Sequence, residues 1–486
     1  MQNSKQVTGM MLFFSVKNFR SINTTQTLNF VVDKDRLDLL TMQQDIVTDE
    51  ETAQRYGRNS VICFIPALAQ DIEIRKSIVL SGANASGKSN MLKAMQSLFT
   101  GLFSGVPMSI SMPEWTMPYF NSNQLTEFEL CFMIDGGDFN NDIFVYKFSI
   151  DNSNNGIDIA KRFISCESLS RIVDRKKYAV GDDDCLLENT TDGLGKYYTK
   201  YVFCREYNYE TNQAEYSNWD YEFLFGEKQR QAHIETIQGW NNLTTTSQLL
   251  ITVISNNYSV PNNPIKQIFD YINLRKSASM GHSFLFPDAV FNLDALNNNI
   301  DYVIDSKNKH ILENLRALGM KFDKINKLET PKGFLFPGFA YQFPKQIVSE
   351  HLHHNNAQLD FVTSESDGTS KSVIIMSWVD QAIHHLINMI MVDEIESHVH
   401  HLIVQQIFRI WHGRHHYGQL ICTTHDPLLF NDKIFCRDQL YIVDKIDDAT
   451  DIAPISSYNG LKATADILTM YLSGQLGSIP DWVNIQ

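Results

Sequence analysis

The stretch from Ser81 to Asn90 constrains the fold more than any other part of the chain. It reads Ser-Gly-Ala-Asn-Ala-Ser-Gly-Lys-Ser-Asn and has the form G-x-x-x-x-G-K-[ST], with its glycines at Gly82 and Gly87. An apolar run at 77–80 precedes it, and a helical pattern at 91–99 follows it. A strand, a glycine-rich turn and a helix in this order predict an α/β fold built around an anion-binding loop.

The residue types of this loop indicate which anion it binds. Glycines let successive backbone N–H groups point at one site, and the helix N-terminus adds partial positive charge, so phosphate is favoured. We expect Lys88 to bridge the β- and γ-phosphates of ATP and Ser89 to bind Mg²⁺. The nucleotide-binding residues predicted in the loop are Gly82, Asn84, Ser86, Gly87, Lys88, Ser89 and Asn90. ATP and Mg²⁺ are therefore the predicted cofactors.

Two later apolar strands end in polar residues that suit the same chemistry. The run at 387–392 is followed by Asp393 and Glu394, and the run at 419–424 is followed by His425. Open α/β sheets bind their ligands at the carboxyl ends of the strands. We expect Asp393 to bind Mg²⁺, Glu394 to orient or deprotonate the attacking water, and His425 to reach the γ-phosphate.

A further polar segment, 365–371, reads Glu-Ser-Asp-Gly-Thr-Ser-Lys and opens a predicted helix at 372–385. Ser366, Gly368 and Thr369 lie at the start of this helix, where serine and glycine favour a second anion site. The order of P-loop, Ser-x-Gly segment, Asp-Glu pair and histidine is that of ABC-type ATPase heads. The sequence therefore predicts an ATPase.

Composition is that of a globular protein. Of the 486 residues, 43% are hydrophobic and 20% charged, and no apolar run approaches the roughly 20 residues of a membrane span. The net charge of −15 argues against indiscriminate coating of nucleic acid. The seven cysteines are scattered and no signal-peptide pattern is evident, so the cytoplasm is the predicted location.

The pattern of strands and helices divides the chain into three predicted regions. Residues 11–165 form a first ATPase lobe with the P-loop, 166–345 a mainly helical insertion, and 346–486 a second ATPase lobe. The predicted fold class is α/β, an ABC-ATPase head (a P-loop NTPase with a mixed sheet and an antiparallel β lobe) that carries the insertion. Hairpins are predicted at 11–30 and 126–150, further strands at 166–173 and 197–207, and helices at 229–240, 247–256, 264–274 and 308–318.

These motifs together resemble the AAA/ABC-class ATPases of bacterial abortive-infection (antiphage) systems, the AbiL/Rlo type. The PARIS, Septu and overcoming-lysogenization-defect ATPases are relatives, and all share an SMC-like head. The segments that carry the resemblance are the opening strand 14–22, the P-loop 82–90, the signature-like 365–369, Asp393-Glu-Ile-Glu, and the closing segment 471–480. The resemblance covers roughly 11–165 and 345–486, and the insertion matches only loosely.

The resemblance implies several roles that the residues alone do not. Arg20 would touch the nucleotide phosphates, and the signature residues Ser366, Gly368 and Thr369 would contact ATP held by a second subunit. Two heads would then enclose two nucleotides, so a homodimer or higher homo-oligomer is expected. The chain would be the ATP-hydrolysing sensor and scaffold of an antiphage system, with a phage-derived trigger and a separate toxic effector protein.

This chain departs from the family pattern at two places. The family usually has Ser-Leu-His-Pro shortly after the Asp-Glu pair that corresponds to Asp393 and Glu394. This chain has His398-Val-His-His there, and only His400 matches the family pattern. The role of this loop at the subunit interface is therefore open. The glutamine that ABC ATPases use near the metal has no clear counterpart, and Gln124 is the nearest candidate.

Two other functions stay open from the sequence. One is an SMC-like DNA-binding ATPase of DNA repair. The negative net charge and the lack of a predicted coiled-coil arm argue against it. The other is a self-contained ATP-regulated nuclease toxin with its site in the insertion. Overcoming-lysogenization-defect proteins carry a nuclease domain after the ATPase, and no such acidic pattern follows His425 here.

Two residue clusters admit a second reading. Histidines gather at 351–354, 384–385, 398–401 and 412–416, and imidazoles suit zinc, but no cysteine lies at ligand spacing. A helix beginning near Ser397 would also spread the third cluster over different faces, so hydrogen-bonded or exposed histidines are favoured. The basic residues between 171 and 177 are interpreted as a solvated loop, with a nucleic-acid or partner surface as the alternative.

Overall fold

The computed structural model of this chain describes a defined set of residues. They are 8–32, 61–64, 72–101, 117–121, 123–136, 139–153, 162–173, 186–191, 195–226, 233–245, 248–256, 264–272, 300–305, 309–320, 323–328, 332–336, 339–342, 346–351, 357–414, 416–431, 434–458, 461 and 465–477. Part of the basic run (175–177), parts of two histidine clusters (352–354 and 415) and the end of the closing segment (478–480) lie outside these residues.

The described residues form strands and helices throughout the chain. The strands are β1 (Thr8–Lys17), β2 (Gln26–Asn29), β3 (Val61–Phe64), β4 (Ile72–Arg75), β5 (Ser77–Ser81), β6 (Thr126–Gly136), β7 (Phe139–Asp151), β8 (Phe163–Val173), β9 (Leu186–Thr191), β10 (Gly195–Asn208), β11 (Gln213–Ser217), β12 (Lys324–Leu328), β13 (Lys332–Phe336), β14 (Phe339–Gln342), β15 (Gln346–His351), β16 (Ala357–Asp360), β17 (Met389–Val392), β18 (Gln419–Thr424), β19 (Leu440–Ile446) and β20 (Ala449–Pro454). The α-helices are α1 (Lys88–Gln96), α2 (Tyr221–Phe225), α3 (Ile234–Leu243), α4 (Leu250–Ser255), α5 (Pro264–Ile272), α6 (Lys309–Ala317), α7 (Phe361–Ser364), α8 (Asp367–Ile383), α9 (His401–Gly413) and α10 (Ile467–Leu472).

A five-stranded sheet positions the P-loop. Its order is β17-β18-β5-β19-β20, with β5 parallel to β18 and β19, and β20 antiparallel at the edge. Every residue of β5, β17 and β18 is buried, which explains why these strands read as continuous rather than alternating apolar runs. Val392 pairs with Cys422, and Thr424 pairs with Ser81, so the three strands end at one edge of the sheet.

A second, antiparallel sheet forms the β lobe. Its order is β11-β10-β8-β7-β6-β1-β2, with β9 paired to β10. The predicted hairpins β1–β2 and β6–β7 are both confirmed. The lobe contacts the P-loop sheet through Gln26, whose Oε1 accepts a 2.6 Å hydrogen bond from the backbone N–H of Ile452. With the parallel P-loop sheet, this lobe confirms the predicted α/β fold class: a mixed P-loop NTPase head with an antiparallel lobe.

The predicted insertion is less helical than expected. Strands β8 to β11 continue the antiparallel sheet, and the boundary predicted between 165 and 166 falls inside β8. Helices α2 to α6 occupy the described residues of 221–317, and β12 to β15 follow. The helical character therefore holds for the middle of the region and not for its described ends. The strands predicted at 166–173 and 197–207 are confirmed as parts of β8 and β10.

Helix α8 runs through a second core beside the P-loop sheet. Its side chains Trp378 and Val379 are buried there together with Trp411 of α9. The predicted helix at 372–385 is thus confirmed, although it begins earlier, at Asp367. Within the part of the chain that the structure describes, no helix is both long enough and apolar enough to cross a membrane.

Candidate nucleotide site

The P-loop joins β5 to α1 through a backbone that needs glycine. Gly87 has φ +111, a region that L side chains rarely adopt. A Cβ on Gly87 would lie 1.9 Å from Thr450 Oγ1 and 2.9 Å from Ser21 Oγ. Both the conformation and the close approach therefore exclude other residues at this position.

Two residues outside the motif hold the P-loop from one side. Thr450 Oγ1 donates to the Ser86 carbonyl at 2.8 Å, so Ser21 Oγ must donate to Thr450 Oγ1, at 2.7 Å. Asn90 Nδ2 in turn donates to Ser21 Oγ at 2.6 Å. The Oγ of Ser86 is buried and has no hydrogen-bond partner. This orphaned hydroxyl, beside the helix N-terminus, fits a loop that receives a polar ligand.

Lys88 lies inside the loop. Its Nζ donates to the carbonyl oxygens of Gly82 and Ala83, both at 2.8 Å, and the residue is 5% exposed. Burial lowers the pKa of Lys88 to about 8, while the nearby carboxylates of Asp393, Glu396 and Glu394 oppose this shift. The ammonium is thus held at the loop by neutral acceptors that a phosphate could replace.

Asp393 follows β17 and faces the P-loop helix. Ser89 Oγ donates to Asp393 Oδ1 at 3.1 Å, and Thr423 Oγ1 donates to the same oxygen. Mg²⁺ prefers oxygen ligands and is bound in proteins by one or two carboxylates together with substrate phosphates. The hydroxyl of Ser89 and the carboxylate of Asp393, brought together from residues 304 positions apart, fit such an ion.

The backbone of Glu394 is fixed on both sides. Its φ is +46, a strained value for a residue with a side chain. Its N–H donates to Thr423 Oγ1 at 2.7 Å, and its carbonyl accepts from Lys371 Nζ at 2.6 Å. The side chain itself is 55% exposed, with Oε1 3.9 Å from Nε2 of His425. The carboxylate is therefore held at the open edge of the sheet.

His425 is positioned by a carboxylate to which sequence reasoning gave no role. The backbone N–H of His425 donates to Glu396 Oε1 at 2.5 Å. The other carboxylate oxygen, Glu396 Oε2, is buried without a hydrogen-bond partner. Glu396 is the last residue of the Asp393-Glu-Ile-Glu segment. Its position two residues after Glu394 was the sequence signal that could have identified it. The structure thus brings His425, Glu394, Asp393 and Ser89 to one edge.

The predicted signature segment lies at the N-terminus of α8. Ser366 is the N-cap residue, and its Oγ accepts from the backbone N–H of Thr369 at 3.1 Å. A Cβ on Gly368 would lie 2.1 Å from the carbonyl oxygen of His398. Together with Lys371, Gly368 packs the signature against the loop that follows Asp393.

Gly368→Ala is expected to destabilise the protein by about 1–3 kcal/mol, because its new methyl group must displace backbone rather than a side chain. Gly239→Ala, in α3, is the matched control, since a Cβ there meets nothing within 4 Å. That control is expected to be neutral or to stabilise by up to about 1 kcal/mol. Urea unfolding of both variants measures the difference, and equal midpoints would contradict the close packing at Gly368.

Two further predicted positions, Arg20 and Gln124, lie in loops outside the P-loop. Arg20 has φ +54 and donates its N–H to Met117 at 2.8 Å, so its phosphate role stays a prediction. Gln124 is exposed and accepts from Asn18 and Asn152 through its backbone carbonyl. The roles of Asn84 and of the signature residues also stay predictions.

The helix after Asp393 begins later than predicted. The sequence suggested a start near Ser397, but α9 begins at His401, with His400 as its N-cap. The ring Nδ1 of His400 accepts from the N–H of Leu402 at 3.2 Å. His398 precedes the helix at φ +62, so the loop between Asp393 and α9 is longer than a helix from Ser397 would allow.

The sheet order, the P-loop and the acidic edge define a P-loop NTPase of ABC/AAA type. Residues 252–431 match the model of a family described as "AAA domain, putative AbiEii toxin, Type IV TA system". The match includes the signature segment, Asp393, Glu394 and His425, and it excludes the P-loop. This part of the chain is therefore similar to an AAA domain.

Solved structures that are similar to this chain include three SMC head domains. One, bound to the C-winged helix domain of ScpA, has 13% identity and a TM-score of 0.36, covering 91% of this chain and 97% of that one. The SMC head of Thermotoga maritima has 11% identity, a TM-score of 0.34 and coverages of 92% and 98%. A head with an extended coiled coil, bound to a ScpA domain derived from Pyrococcus furiosus, has 10% identity and a TM-score of 0.34. That match covers 92% of this chain and 96% of the other. No curated protein matches the chain.

Proposed function

We propose that this protein binds and hydrolyses ATP with Mg²⁺. The observation that carries the proposal is the meeting of Lys88, Ser89, Asp393 and Glu394 at the carboxyl ends of β5 and β17, with His425 at the end of β18. Ser89 and Asp393 would hold Mg²⁺, which supplies charge neutralisation at the phosphates when bound.

The chain's own residues have separate tasks in this proposal. Lys88 leaves the carbonyl oxygens of Gly82 and Ala83 and donates to the phosphates. Glu394 accepts the proton of the attacking water, because its carboxylate is exposed while its backbone is fixed. His425, 3.9 Å from that carboxylate, donates to the terminal phosphate and senses its departure.

We further infer that two copies close around ATP. The N-terminus of α8 offers Ser366 and Thr369 at the surface, where a second subunit's nucleotide could be bound. Lys371 connects this end of α8 to the carbonyl of Glu394, so contact in trans would act on the catalytic loop. ATP binding would close the dimer and hydrolysis would release it.

Glu394→Gln protein with ATP is expected to be a dimer by light scattering, whereas the ADP form is a monomer. Adding Ser366→Arg should abolish the dimer without weakening nucleotide binding, because the side chain lies at the outer surface. Ser153→Arg, also at an exposed position, is the matched control and should leave the dimer intact. If the Ser366→Arg protein still dimerises, the signature segment does not lie in the dimer interface.

The biological role we propose is that of a nucleotide-controlled sensor and scaffold in bacterial antiphage defence. The supporting observations are the motif resemblance and a matching family described as part of a type IV TA system. The chain would recognise a phage product and hold or release a separate toxic effector. A tagged Glu394→Gln pull-down with ATP, followed by mass spectrometry, should recover a stoichiometric small protein. Recovery of DNA alone would instead favour a repair ATPase.

A further inference from the structure

Three potential metal ligands meet at the C-terminal end of α8, away from the nucleotide site. Asp380 lies in the last turn of α8, His384 is the C-cap residue of that helix, and His310 comes from α6. One ligand atom from each lies within 4.8 Å of the others, and among the described residues no second group of His, Cys, Asp and Glu does so. Neither His310 nor Asp380 belongs to the histidine clusters visible in the sequence.

The carboxylate of Asp380 is the centre of the group. It is 5% exposed, and its Oδ1 lies 2.5 Å from Nε2 of His310. Its Oδ2 accepts a hydrogen bond from the hydroxyl of Tyr302 at 2.7 Å. A carboxylate oriented by a hydroxyl in this way has the outer support that metal ligands usually have.

The ring of His384 is fixed beside Asp380, with Nδ1 3.3 Å from the carboxylate Oδ2. Its Nδ1 lies 2.9 Å from the backbone carbonyl of Asp380, and a carbonyl can only accept, so Nδ1 carries the proton. Nε2 therefore carries the lone pair. A ring N–H donated to a backbone carbonyl is the common means of fixing a ligating histidine.

We propose that His310, Asp380 and His384 bind a divalent transition-metal ion, with Zn²⁺ favoured. Two imidazoles and one carboxylate suit zinc and disfavour Mg²⁺ and Ca²⁺, which prefer oxygen alone. The ion takes the place of the hydrogen bond between His310 and Asp380: the neutral ring of His310 exchanges its proton through solvent from Nε2 to Nδ1, and Nε2 then has the lone pair that binds the ion. Bonds of about 2.1 Å at tetrahedral angles separate ligand atoms by about 3.4 Å, so these two side chains move apart by about 1 Å.

The site is open on one side and lies at the opposite end of α8 from the signature segment. The side chains of His310 and His384 are 40% and 52% exposed, so water completes the coordination. Asp380 follows the signature residue Ser366 by 14 positions, or about 20 Å along the helix. The bound ion would fasten α6 to the helix that carries the signature.

The test is a zinc titration of the full-length, tag-free, EDTA-treated protein against a chromophoric chelator. One Zn²⁺ per chain is expected. His310→Ala and His384→Ala are each expected to weaken binding by about 100-fold or more, and Tyr302→Phe by about tenfold. His401→Ala, on α9, is the control and should bind like the parent. Thermal unfolding without metal should show that all four variants fold.

Cobalt provides an independent readout of the ligand set. Co²⁺ in the parent should give the intense visible bands of a four-coordinate site, and His310→Ala should lose them. Zinc binding of equal stoichiometry and affinity in the parent and in His310→Ala and His384→Ala would show adventitious metal and overturn the proposal. So would an absence of binding at micromolar Zn²⁺. Neither result depends on ATP hydrolysis.

Discussion

Glu394→Gln is expected to lower the rate of ATP hydrolysis by about 10²–10⁴-fold and to leave ATP affinity unchanged. The amide cannot accept the proton of the attacking water, and general-base catalysis contributes a factor of this size. The local structure should survive, because the hydrogen bonds from Glu394 to Thr423 and from Lys371 to Glu394 are made by the backbone of Glu394. Phosphate release under steady-state conditions and titration with a fluorescent ATP analogue measure the two quantities separately.

The control for this experiment is Glu210→Gln, which makes the same chemical change at an exposed turn. It should hydrolyse ATP like the parent protein. If Glu394→Gln also kept the parent rate, Glu394 would not be the catalytic base. Glu396, which already binds the N–H of His425, would then be the carboxylate to examine.

Lys88→Gln is expected to weaken ATP binding by about 100-fold or more. A hydrogen bond to a charged group contributes about 1.5–3 kcal/mol, and the side chain would make two of them with phosphates. About 1.4 kcal/mol corresponds to a factor of ten in affinity. The same ammonium now donates to Gly82 and Ala83, so the geometry for two bonds already exists. Calorimetry with a non-hydrolysable ATP analogue measures the affinity.

Lys93→Gln is the control on the same helix, because Lys93 lies in the last turn of α1. It should bind the analogue like the parent. Equal affinities of Lys88→Gln and the parent would refute phosphate binding by this loop. A loss of hydrolysis without a loss of binding would restrict Lys88 to the transition state.

The strands and their polar ends could be predicted because each signal is local. Parallel strands that are buried on both faces read as largely apolar runs, and the P-loop, Asp393 and His425 follow such runs directly. The hydrogen bonds from Thr450 to Ser86 and from Asn90 to Ser21, which hold the P-loop, could not be predicted in this way. Ser21 and Thr450 are ordinary polar residues separated by 429 positions, and only the folded sheet brings them together.

The contact between Lys371 and Glu394 could not be predicted from the sequence for a different reason. A buried lysine that donates to a carbonyl oxygen leaves no mark in a sequence, since any residue supplies the acceptor. Strands β8 and β10, near the start of the predicted insertion, were recognised as strands, but their partners were not. Register between distant strands depends on the completed sheet, and a single sequence does not record it.

The position of Thr450 has a consequence for how the protein is made. The P-loop strand β5 pairs with β18 and β19, and the loop is held by Thr450, all of them synthesised more than 300 residues after β5. Contacts this distant along the chain form late, because the intervening loop must first be closed. The nucleotide pocket is therefore incomplete while the ribosome is still translating the second lobe. Under the proposed function, a chain that has not been synthesised beyond Thr450 lacks this support of the P-loop and does not form the complete ATP site.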